Sequence, residues 1–263
     1  MPGPEHDSTG PNGALVAGRP VIRLTDVSEP TLSVYKPEGQ NTGVAVLIFP
    51  GGGYGVLAYD LEGTEACTWL NSIGVTCVLV KYRVPYGGHY PQRLEDFEDA
   101  QRAMRITRAH AAEWKINPRR IGVLGFSAGA HLAVVLSIHA EQKTYTPVDA
   151  ADALNAKPNF ALIIYPGYLA DAPTLTKTAE GIDPDATTPP TFLVQAENDG
   201  VHVENALVYF QALKAVKVPA ELHIFDQGGH GYGLRATYLP ITHWPALAET
   251  WLQTIHMIPP AAK

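Results

Sequence analysis

The chain reads as an α/β protein, a doubly wound and mostly parallel sheet flanked by helices. Apolar runs of strand length recur along it, rich in Val, Ile, Leu and Phe with little alternation. Strands buried on both faces of a parallel sheet have this pattern. Segments with helical spacing fall between the runs, and such β–α alternation argues for one doubly wound domain. A length of 263 residues, 46% of them apolar and 17% charged, is enough to bury a sizeable core.

The stretch 1–30 is expected to be an N-terminal extension, flexible in part, and 31–263 a single catalytic domain. Strands are expected at 31–36, 44–49, 75–81, 121–125, 161–165, 191–196 and 221–225. The helix at 61–72 closes at Gly74, a suitable C-terminal glycine. The segment 91–114 carries Leu94, Phe97, Ala100, Met104 and Ile106 at near-helical spacing. Further helices are expected at 128–139, 203–215 and 244–256. The polar, Pro-containing stretches 141–158 and 170–190 read as excursions over the sheet's C-terminal edge, where sites of α/β proteins form. Neither is long enough for a large cap, so an open site is expected.

Net charge is −7, with no basic stripe or Lys/Arg cluster, which argues against nucleic acid and anionic membrane surfaces as partners. No apolar run approaches the roughly 18 residues of a membrane span. The first thirteen residues lack the apolar stretch of a signal peptide. As written, the chain is expected either in the cytoplasm or as the mature form of a secreted protein. Cys67 falls in a helical pattern and Cys77 in an apolar strand. Both are expected to be buried thiols acting as small hydrophobes, and their spacing leaves pairing undecided.

The chemistry is carried by Gly125-Phe126-Ser127-Ala128-Gly129, between an apolar strand and a helical run. A G-x-S-x-G in strand–turn–helix context is a nucleophile elbow: the turn strains the serine backbone and projects its hydroxyl from the end of the sheet. The helix N-terminus beneath it favours developing negative charge. A serine hydroxyl is a weak nucleophile and needs an adjacent, oriented base. Asp199 lies in the turn leaving the buried strand 191–196, where an orienting carboxylate belongs, with Glu197 as its rival. His230, in Gln227-Gly228-Gly229-His230-Gly231 after the last core strand, is the expected base. His131 lies one helical turn past the serine and reads as a packing or supporting residue, while His89, His202 and His243 could approach the site.

An oxyanion hole is expected where 44–49 empties into Gly51-Gly52-Gly53-Tyr54. Glycines let the backbone fold close to a ligand, and the amides of Gly52, Gly53 and Ala128 are the candidate donors. No H-E-x-x-H, paired-cysteine or EF-hand spacing is present, no G-K-[ST] follows the glycines, and no G-x-G-x-x-G opens an early helix. No metal and no cofactor are therefore expected. Tyr54, Tyr86, His89, Tyr168 and Trp244, read as loop residues, are candidates for stacking on a sugar.

Pro50-Gly51-Gly52-Gly53-Tyr54, Lys81-Tyr82-Arg83, the elbow with its preceding strand, and Gln227 to Leu234 resemble the small bacterial α/β-hydrolase esterases of the acetylxylan-esterase-like or feruloyl-esterase-like branch. The resemblance runs from about residue 31 to residue 252. It implies a Ser127–Asp199–His230 triad and oxyanion donors from Gly52, Gly53 and Ala128. Two positions depart from related patterns. Pro50 stands where hormone-sensitive-lipase-like relatives have His, and Asn198-Asp199 where many members carry paired acids. The expected function is a serine carboxylesterase acting on short acyl esters, acetyl on a polysaccharide such as xylan being the favoured substrate. A peptidase of the prolyl-oligopeptidase type, a lipase, and a non-catalytic ligand-binding protein on the same scaffold are the alternatives.

Overall fold

The computed structural model describes residues 3–9, 13–85 and 87–260. In chain order the strands are β1 (His6–Asp7), β2 (Arg23–Thr25), β3 (Thr31–Tyr35), β4 (Ala45–Phe49), β5 (Leu57–Ala58), β6 (Thr76–Lys81), β7 (Ile121–Phe126), β8 (Ala161–Ile164), β9 (Thr191–Ala196) and β10 (Ala220–Phe225). The helices are α1 (Glu65–Ser72), α2 (Glu95–Ala109), α3 (Ala111–Trp114), α4 (Ala128–His139), α5 (Glu204–Ala215) and α6 (Trp244–Thr254). Seven strands form the main sheet in the order β10-β9-β8-β7-β4-β6-β3, parallel throughout except for β3, which runs antiparallel to β6 at the edge. All seven match the runs expected from the sequence.

Alternate side chains of the central strands feed two cores. Ala45, Leu47 and Phe49 of β4 face the layer of α2, α4 and α5, while Val46 and Ile48 face α1 and α6. All five are fully buried, and burying each large one contributes about 2 kcal/mol. This two-sided burial is why the strands show no polar alternation. Helix α4 is buried along Ala128–Ser137, so it too lacks a polar face.

The segment expected at 91–114 divides into α2 and α3, and the one at 61–72 begins with a π-helical turn, Asp60–Thr64. Cys67 on α1 and Cys77 on β6 are buried as expected but are joined in a disulfide instead of being thiols, which decides the pairing the sequence left open. Their Cα atoms are 5.1 Å apart because α1 packs directly on β6, within the range a bridge spans.

The described part of 1–30 forms an element the sequence pattern did not reveal. Strand β1 pairs antiparallel with β2, and β2 antiparallel with β5, which continues the glycine loop after β4. Arg235, 3% exposed, fastens this segment to the main body. Its guanidinium pairs with Asp60 and Glu65 and donates to the carbonyls of Val16, Arg19 and Pro20. One buried cation thus satisfies three backbone acceptors that would otherwise cost desolvation energy.

Candidate active site

Four loops converge at the carboxyl ends of the parallel strands. Gly51 follows β4, Ser127 follows β7, Asp199 follows β9 and His230 lies beyond β10. Ser127 adopts φ +52°, ψ −117°, an unfavourable conformation for a non-glycine residue. The turn holds it there because strand and helix approach too closely for side chains on either glycine of the motif. A Cβ on Gly125 would lie 2.1 Å from the Gly129 carbonyl oxygen, and one on Gly129 would lie 2.0 Å from that of Phe49.

Ser127 Oγ is 2.8 Å from His230 Nε2, and His230 Nδ1 is 2.9 Å from Asp199 Oδ2. The structure therefore brings the three residues into one hydrogen-bonded chain. Asp199 is 5% exposed, and its other oxygen accepts the Val201 N–H at 2.7 Å. The Gln195 amide donates to Asp199 Oδ2 and to the carbonyls of Pro166 and His202, which fixes the carboxylate's orientation. Glu197, the rival carboxylate, points to solvent. Asn198 anchors the histidine loop, because its Oδ1 accepts the N–H groups of both Gly228 and Gly229.

In the glycine loop, Gly52 has φ +134°, and a Cβ there would lie 2.1 Å from the Val56 carbonyl oxygen. The Gly52 carbonyl accepts from Gly55 and Val56, folding the loop back on itself. Tyr82 of the Lys81-Tyr82-Arg83 motif donates to the Pro50 carbonyl at 2.5 Å, and Arg83 pairs with Asp99 at the foot of α2. The N–H groups of Gly52, Gly53 and Ala128 donate to no acceptor among the described residues. Gly52, Gly53, Ser127 and His230 line one cleft of about 770 Å³.

Of the residues expected to stack on a sugar, Tyr168 lines the cleft and is 40% exposed. His89 packs 4.5 Å from the Tyr168 ring and 5.6 Å from that of Tyr54. Tyr54 is buried, with its hydroxyl 2.7 Å from His131 Nδ1, so it forms a wall behind the glycine loop, not a stacking surface. Trp244 requires correction: it opens α6, is fully buried against Phe126 and Trp69, and donates its indole N–H to the Gly233 carbonyl. Tyr86 lies outside the described residues. His202 lines the cleft, whereas His243 is exposed at the start of α6.

Comparison with known proteins agrees with the fold. Residues 46–187 match the family described as alpha/beta hydrolase fold. The chain belongs to this hydrolase family. The hydrolase is 34% identical to the acetyl ester-xyloside bifunctional hydrolase from Caldicellulosiruptor lactoaceticus. The crystal structure of that protein matches with a TM-score of 0.77, covering 87% of this chain and 89% of the other. An acetylxylan esterase of Xylanibacter ruminicola is 30% identical over 243 residues, covering 84% of this chain and 47% of the relative. The hydrolase thus spans about half the length of that protein. An ethyl acetate hydrolase of Pseudomonas putida is 26% identical, over 84% of this chain and 80% of the relative.

Behind the glycine loop the hydrolase holds two buried ionisable groups: His131, expected from the sequence to pack or support, and Asp96, which sequence reading did not single out. Burial, with His89 nearby, pushes His131 well below the ordinary histidine range, so its ring is neutral. Asp96, 5% exposed beside Tyr54, has one oxygen without a hydrogen-bond partner among the described residues. Burial raises its carboxyl to about 7, against the opposing pull of the Asp96 and Phe97 N–H groups. Between about pH 4, the ordinary aspartate value, and about pH 7 the folded state therefore holds a proton that the unfolded state has released. Stability contributed by this group is lost as pH rises through that window. Asp96→Asn removes the titration. Its stability relative to wild type is expected to increase with pH across the window, by up to about 1.4 kcal/mol per pH unit. Urea unfolding of both proteins at pH 4.5, 6 and 8 checks this; a constant difference would contradict it.

Proposed function

We propose that this hydrolase is a serine carboxylesterase that removes short acyl groups, acetyl foremost, from a carbohydrate alcohol. The observation that carries the reading is the Ser127–His230–Asp199 chain, with distances of 2.8 and 2.9 Å, opening on a cleft walled by the glycine loop. His230 Nε2 takes the Ser127 proton as Oγ attacks the ester carbonyl, and Asp199 holds the tautomer that leaves Nε2 free to accept. The Gly52, Gly53 and Ala128 N–H groups receive the oxyanion, each donor contributing on the order of 3 kcal/mol to the transition state. His230 then protonates the departing alcohol, and water releases the acyl group by the same route.

Names of the relatives favour acetyl esters on xylan-type sugars. A glycosidase needs two carboxylates across the sugar. Among the described residues lining the cleft, Glu62 is the one carboxylate, and both its oxygens are engaged within the protein. Ester cleavage therefore fits the site better than glycoside cleavage. The cleft beyond the serine is bounded by Ala170, Leu175 and Val201, aliphatic side chains, and by the exposed ring of Tyr168, which suits a small acyl group with a sugar at the mouth. Initial rates on p-nitrophenyl acetate, butyrate and octanoate, with acetate release from acetylated xylan, test the reading. A fall in kcat/KM with chain length together with acetate release is expected. Activity confined to octanoate would move the enzyme to lipid esters, and no ester activity at all would favour a binding role.

A further inference from the structure

The Glu62 carboxylate lies in the π-helical turn Asp60–Thr64, is 3% exposed, and serves two loops at once. Its Oε2 accepts the Gly51 N–H at 2.6 Å, and its Oε1 accepts the Tyr165 O–H at 2.8 Å. The Tyr165 oxygen in turn accepts the Gly233 N–H at 3.1 Å, three residues beyond His230. Tyr165 is fully buried, and its ring meets that of His230 edge-on at 5.1 Å. It sits at φ +37°, a left-handed backbone that a bulky residue adopts only when its surroundings impose it. A Cβ built on Gly51 would lie 2.8 Å from Glu62 Oε2 and 2.7 Å from the Ser127 Cβ, so the carboxylate and the serine both close on Gly51.

We propose that Glu62 is a positioning residue that, through Tyr165, locks the oxyanion loop and the histidine loop into register about Ser127. The inference rests on the esterase reading for its kinetic consequences and on the hydrogen-bond chain for its structural ones. By holding the Gly51 N–H inward, Glu62 leaves the next two amides to face the cleft. By holding Tyr165, it fixes the backbone just past the histidine. Buried carboxylates are costly, and burial raises this one above the ordinary glutamate range while its Tyr165 and Gly51 donors oppose the rise. A group kept buried at such a cost, with a donor from each of two loops, has a role that an apolar residue could not fill.

Glu62→Gln preserves shape but presents an N–H₂ where either Gly51 or Tyr165 needs an acceptor. With p-nitrophenyl acetate, kcat is expected to fall about 10²-fold, the scale of losing one oxyanion donor, with KM changed less than about threefold. Tyr165→Phe breaks the same chain at its second link. The double variant is expected to be no worse than the poorer single one, because one interaction is lost in all three. Amide hydrogen exchange, which requires no activity, is expected to rise in Glu62→Gln both in 51–56 and in 230–234. Unchanged kcat, multiplicative losses in the double variant, or faster exchange in only one loop would each overturn the proposal. Wild type and Ser127→Ala run beside them. An inactive wild type would overturn the esterase reading alone, with hydrogen exchange still deciding the coupling.

Discussion

Ser127→Ala is expected to lower kcat/KM on p-nitrophenyl acetate by at least about 10⁴-fold with the fold unchanged. The substitution removes one oxygen and nothing that shapes the elbow. The Ser127 N–H donates to the Ile164 carbonyl, and its own carbonyl accepts from Ala130, His131 and Gly167, all of them backbone bonds that alanine keeps. Alanine also carries the same Cβ into the φ +52° conformation. A change in melting temperature is therefore not expected, and circular dichroism with steady-state kinetics on the same preparation separates loss of chemistry from loss of fold. Residual hydrolysis would reflect the oxyanion donors and binding alone.

Asp199→Asn is expected to cost about 10⁴-fold in kcat, through the tautomer of His230. Asp199 receives donors on both oxygens: Val201 N–H on Oδ1, and His230 Nδ1 with the Gln195 amide on Oδ2. If the asparagine oxygen stays with Val201, its N–H₂ faces the histidine. His230 then turns its Nδ1 lone pair to that group and carries the proton on Nε2, pointing at Ser127. A base already protonated toward its nucleophile cannot accept. Thermal stability distinguishes this from misfolding: kcat is expected to be low while the melting temperature stays near wild type. Equal kcat in variant and wild type would remove Asp199 from the mechanism.

How much of this was legible in the sequence depended on the range of the interactions concerned. The seven strands of the main sheet stood out because burial on both faces writes a continuous apolar run, as in Val46, Leu47 and Ile48. Ser127, Asp199 and His230 stood out because each follows such a strand. Strands β1, β2 and β5, two or three residues long, leave no periodic signal. Arg235 was invisible for another reason: its partners Asp60 and Glu65 lie 175 and 170 positions away. Glu62 and Asp96 carry no pattern that marks a carboxylate as buried; only the packing of other elements over them shows it. Trp244 opens the helix expected at 244–256, but its ring, expected to face a sugar, is fully buried against Phe126 and Trp69, which only the packing of α6 on the sheet shows.

The central claim, that Ser127 is the nucleophile poised by His230, is tested most directly by covalent labelling. The protein would be treated with diethyl p-nitrophenyl phosphate, in which attack by the serine oxygen forms a P–O bond and expels p-nitrophenolate. Peptide mass spectrometry then locates the diethylphosphoryl group. The account predicts stoichiometric labelling on Ser127, with loss of activity in step, and none in Ser127→Ala. Labelling on another residue, or an intact Ser127 in inactivated protein, would contradict it.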